Sequence, residues 1–134
     1  MNNEQDKISF GPMDRQELLA VAKEELETAL SKKDYKTIES KLWKVLLLYQ
    51  EEIFRTAKGL SFTYRIKGNE IFISRKEKSV TRASVDMALK KALEHQENGV
   101  KITGPKMLKS FGASYLYPIF IEIGVVGKEF SSLL

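Results

Sequence analysis

Residues 62–74, FTYRIKGNEIFIS, alternate apolar and polar side chains on both sides of a Gly68-Asn69 pair. Alternation with a period of two is the pattern of a half-buried strand. A two-residue Gly-Asn connection between two such runs signals a hairpin closed by a type I′ or II′ turn. So short a loop also fixes the register: Ile66 faces Ile71, Arg65 faces Phe72, Tyr64 faces Ile73 and Phe62 faces Arg75. Successive side chains of a strand point to opposite sides. Phe62, Tyr64, Ile66, Ile71 and Ile73 therefore share one face, and Thr63, Arg65, Lys67, Glu70, Phe72 and Ser74 share the other. The first face must be covered, because a lone hairpin is marginal in water. The second is wet, cationic and carries one aromatic ring.

Helices are available to cover it. Asp14 and Glu17 have the spacing of a capping box, and Leu18/Leu19, Ala22, Leu26 and Ala29/Leu30 then recur as one apolar stripe. Asp34 can cap a second helix that the pattern carries to Gly59. Ile38, Leu42, Val45, Leu46, Tyr49 and Ile53 form its apolar arc, widened by Trp43, Leu47 and Phe54. The short connection predicts an antiparallel helical hairpin over 14–59, followed by the β-hairpin over 60–76. C-terminal helices occupy 79–126: one from Ser79 or Thr81 to Asn98-Gly99, a short one opened by Gly104-Pro105, and one over 115–123 capped by Ser114 and stopped by Gly124. Residues 100–103, VKIT, are a candidate third strand, and residues 1–12 a loose polar arm. The expected fold is a single α+β domain with an N-terminal helical hairpin, a central β-hairpin and C-terminal helices.

Composition narrows the chemistry. A chain of 134 residues can bury a core without staples. It contains no cysteine, which excludes disulfides, cysteine–zinc sites and thiol catalysis. No segment reaches the roughly 20 apolar residues of a membrane span, and a soluble, cytoplasmic protein without membrane partners is expected. Catalysis finds little to work with. The sole histidine, His95, sits between acidic neighbours late in a helix, where its cation is favoured by the helix end. No P-loop, nucleophile elbow or dinucleotide fingerprint is present. We therefore expect no enzyme, no metal and no cofactor.

Leu108, Gly112 and Ser114, in the stretch MLKSFGASYLYPIFIEIGVV, resemble the turn region of helix-turn-helix DNA-binding proteins, and a second helix of that kind would enter the major groove. The resemblance spans about twenty residues. The helix that follows reads YLYPIFIEI, which lacks the Arg, Lys, Asn or Gln that base edges require. A helix apolar on every side belongs in a core or an oligomer contact.

Charge supplies the functional lead. Residues 65–109 hold 11 Lys/Arg against 5 Asp/Glu, a net of +6, whereas residues 1–59 hold 10 against 11. Such asymmetry speaks to partners rather than to fold. Arg65, Lys67 and Phe72 share the wet hairpin face. Arg75, Lys76, Lys78 and Arg82 run into the next helix, and Lys101, Lys106 and Lys109 surround another helix start. Together they form a candidate surface for nucleic acid or another polyanion; the simpler reading is a solvated edge kept from aggregating by its charges. The sequence thus points to a non-enzymatic nucleic-acid-binding or regulatory accessory protein. The alternative is a protein–protein interaction or self-assembly module with no nucleic-acid binding, and the broad helix and the apolar 115–123 segment favour a homodimer.

Overall fold

The structure is a computed structural model that describes residues 14–127, so the 1–12 arm lies outside the described residues. The chain divides into two compact units, one ending at Tyr49 and the other beginning at Gln50.

The first unit is a helix pair, α1 (Arg15–Lys32) and α2 (Tyr35–Leu48). Asp14 caps α1 through a complete capping box: its carboxylate accepts from the Gln16 amide at 3.0 Å, and Glu17 accepts the Asp14 N–H at 3.3 Å. Lys33, in a left-handed conformation, ends the helix. Asp34 occupies the first position before α2, but its carboxylate takes the Thr37 hydroxyl at 2.8 Å instead of a backbone amide. The helices run antiparallel. Arg15 donates to the Leu48 carbonyl, while Glu25, half-way along α1, meets Lys41 at 3.4 Å and Lys44 at 3.6 Å. Ala22, Leu26 and Ala29 on α1 and Ile38, Leu42, Trp43, Val45 and Leu46 on α2 are buried. Each large aliphatic among them contributes about 1.5–3 kcal/mol of transfer free energy.

The sequence pattern carried α2 to Gly59; the structure ends it eleven residues earlier, at Leu48. Tertiary pairing outcompetes the helix there. Glu51 turns into the left-handed region (φ 70°), its N–H donates to the Tyr64 carbonyl at 3.0 Å, and Gln50 Oε1 accepts the Ile66 N–H at 2.6 Å. Phe54 then stacks on Phe62 and Tyr64, with ring centroids 5.7 and 6.0 Å apart.

The second unit holds two small antiparallel sheets. Strands β1 (Phe54–Arg55) and β2 (Ser61–Phe62) form a ribbon, so Phe62 pairs with Phe54 and not with Arg75. Strands β3 (Tyr64–Lys67), β4 (Glu70–Ile73) and β5 (Val80–Thr81) form the other sheet, in that order. The register across the Gly68-Asn69 loop is as expected: Tyr64 opposite Ile73, Arg65 opposite Phe72 and Ile66 opposite Ile71. Gly68 has φ 61° and Asn69 lies outside the positive-φ region, which fits the II′ turn.

The third strand is β5 and not residues 100–103. After α3 (Arg82–Glu97), Val100 N–H returns to the His95 carbonyl at 2.8 Å and Gly99 N–H to Gln96 at 3.1 Å. These two bonds make a Schellman end, which engages the backbone at the start of that segment.

A 3₁₀ turn (Pro105–Leu108) and α4 (Ala113–Ile123) complete the unit. Gly112 with φ 83°, not Ser114, precedes the first residue of α4. The inner sheet face carries Phe62, Tyr64, Ile71, Ile73 and Val80, all buried, with Ile66 half-buried. Phe62 meets the edge of Tyr115 at a centroid distance of 5.0 Å. Leu116, Ile119, Phe120 and Ile123 of α4 are buried, as are Val85, Ala88, Leu89 and Ala92 of α3. Among the described residues no helix is long and apolar enough to cross a membrane.

Candidate nucleic-acid interface

The outer face of the β3–β4 hairpin follows from strand alternation. Arg65 and Phe72 are Cα partners, and two residues nearer the turn Lys67 is opposite Glu70. Directly opposed side chains lie about 4.5–5.5 Å apart at Cβ and diagonal ones about 7–8 Å. Arg65, Lys67, Glu70 and Phe72 are therefore within mutual reach. Phe72 is 43% exposed, a large apolar surface to leave in water on the most regular part of the sheet. The Arg65 guanidinium Nε lies 3.0 Å from Glu51 Oε2, with the two side chains 76% and 63% exposed. Such a pair contributes about 0–1 kcal/mol. It orients Arg65 without locking it.

The other cations fall into distinguishable positions. Arg82, the first residue of α3, donates from Nη1 to Asn69 Oδ1 at 3.3 Å and from its backbone to Asn69 O at 2.8 Å, which ties it to the hairpin tip. Arg75 Nε donates to the Ser61 carbonyl at 2.8 Å. Lys76 Nζ lies 3.9 Å from the ring centroid of Phe111. Lys78 is exposed between β4 and β5. Lys106 stands exposed on the 3₁₀ turn, and Lys101 is exposed beyond the end of α3. Lys109 is near enough to Glu94 to help hold its carboxyl below the usual range, behind the larger influence of a 2.9 Å hydrogen bond from Lys91.

Arg65, Lys67, Phe72 and Arg82 thus belong to the hairpin and its tip, and Arg75, Lys76 and Lys78 to the β4–β5 connection. The segment leading to Phe111 and Gly112 joins that connection through Lys76 and Val80. Lys101, Lys106 and Lys109 sit around the end of α3 and the turn that follows it.

Sequence reasoning missed Phe111, which is 47% exposed, and the carboxylate of Glu51, which it placed on a helix. No local pattern marks either; both depend on contacts between distant segments. His95 has a structural use: Nε2 lies 2.9 Å from the Met107 carbonyl and donates to it, tying α3 to the 3₁₀ turn. The buried face of α4 is likewise unlike a groove-reading helix. Among the described residues no cluster of His, Asp or Glu has metal-binding geometry.

Compared with models of known families, with characterised proteins and with solved structures, the chain matches none.

Proposed function

We propose that this chain is a non-enzymatic accessory protein that binds nucleic acid through the outer face of β3 and β4. The observation that carries the reading is the register that sets Arg65 opposite Phe72, a cation and an exposed ring on the same outer face of the sheet. A phosphate offers Arg65 a bidentate, charge-assisted partner. It also releases condensed counterions, which the exposed Glu51 pair does not. Lys67 and Arg82 add charge at the hairpin tip.

The test is the variant Arg65→Gln/Lys67→Gln against generic polynucleotide. Affinity is expected to fall, and the slope of log K against log salt to flatten by about 0.7–0.9 for each phosphate that is no longer neutralised. Stability should stay within about 0.5 kcal/mol, because both side chains are exposed. Unchanged affinity and slope contradict the reading.

Self-association is the second reading. Ile53 is 71% and Leu60 45% exposed beside the β1–β2 ribbon, an apolar surface suited to a two-fold homodimer. A monomer mass independent of concentration in sedimentation would dismiss it.

A further inference from the structure

Phe111 is a second exposed aromatic, with the Lys76 ammonium 3.9 Å from its ring centroid, and the residue after it packs against the sheet. The following residue, Gly112, is pressed against Val80, where a β-carbon would come within 2.6 Å of Cγ2. Val80 is itself fully buried in β5. On the other side, Lys76 is fixed at the end of β4 by its N–H to the Ile73 carbonyl at 3.0 Å. Phe72, near the end of β4, and Phe111, against Lys76 three residues past that strand, are thus two exposed rings at the start of the β4–β5 connection. Along the chain Phe72 and Lys76 are separated by at most about 14 Å.

From this arrangement we propose that the ligand is single-stranded nucleic acid, with Phe72 and Phe111 each stacking an unpaired base and Lys76 and Lys78 meeting the intervening phosphates. The proposal rests on the nucleic-acid reading above and names its substrate class. In a duplex the base faces are already stacked, so two exposed rings would gain nothing from them. On a single strand each base presents a π-face to an aromatic side chain. Stacking a base outweighs an exposed cation–π contact, so the Lys76 ammonium leaves the Phe111 ring and turns to the backbone.

The experiment compares an oligothymidylate of about 20 nucleotides with a mixed-sequence duplex of the same length, at low salt. The proteins are the unaltered chain, Phe72→Ala, Phe111→Ala and Phe111→Leu, each checked by circular dichroism. The unaltered chain should prefer the single strand. Each alanine variant should bind the single strand about 5- to 150-fold more weakly and the duplex less than about twofold more weakly. Phe111→Leu should behave as Phe111→Ala, since leucine keeps apolar bulk but has no π-face. Equal binding of both nucleic acids by the unaltered chain, an unchanged single-strand affinity in the Phe111 variants, or equal weakening on both ligands would overturn single-strand stacking while leaving nucleic-acid binding intact. Absence of binding to either ligand overturns both.

Discussion

Gly112 lies so close to Val80 that a β-carbon on it would stand 2.6 Å from Cγ2 and 3.2 Å from Cγ1 of that side chain. The backbone there is also left-handed, φ 83°, a region costly for any residue with a β-carbon. Gly112→Ala should therefore destabilise the protein by about 1–3 kcal/mol, from steric overlap and backbone strain together. Adding Val80→Ala removes the overlap but not the strain. Denaturant unfolding of the two single variants and the double variant should thus show a double-mutant coupling. Simple additivity would mean that the two residues do not touch.

The outer edge of β3 carries its own protection. Gln50 and Glu51 lie along it, one lending a side-chain oxygen to Ile66 N–H and the other its N–H to Tyr64 O. They blunt a strand edge that would otherwise invite pairing with another chain. Gln50→Ala leaves the part-buried Ile66 amide without this acceptor, at a cost of about 1–3 kcal/mol. Gln50→Glu keeps an acceptor oxygen and should recover part of that stability. Faster amide exchange at Ile66 in the alanine variant is the direct reading; unchanged exchange would contradict the assignment.

How much of this was legible in sequence depended on whether the deciding contacts were local. The hairpin register was, because alternation and a two-residue loop jointly specify it. The start of α1 was too, since Asp14 and Glu17 are three residues apart. The end of α2 was not. Residues 49–54 suit a helix by pattern, and only strands further along divert them: β3 takes Gln50 and Glu51, and β2 pairs with Phe54. The same applies to β5, where Val80 and Thr81 are too few to show a period, and to Lys76 on Phe111, thirty-five residues apart in sequence. On the candidate interface the sequence pointed to the cations and Phe72 from charge and alternation. Nothing in it marked the carboxylate that Arg65 faces.

Glu25 supplies a pH dependence. Its hydrogen bond from Lys41, and then the charges of Lys41 and Lys44, hold its carboxyl below the ordinary value of 4.5. A carboxylate with a depressed folded-state pKa adds stability that is fully present above its unfolded value and fades as pH falls through the folded one. Thermal melts should therefore show Glu25→Gln lowering the transition temperature at pH 7, with the difference from the unaltered protein shrinking below about pH 4. A difference that persists at pH 2 would show that the glutamate acts by packing and not by charge. Because the group is exposed, the effect should be small and should diminish with salt.

We propose that the outer face of β3 and β4 binds nucleic acid through phosphate neutralisation. The most direct measurement is the affinity of the unaltered protein for a generic single-stranded polynucleotide between about 50 and 200 mM monovalent salt. We predict a linear fall of log K with log salt, with a slope of about −3 or steeper, corresponding to four or more neutralised phosphates. No binding at the lowest salt, or an affinity indifferent to salt, would contradict it.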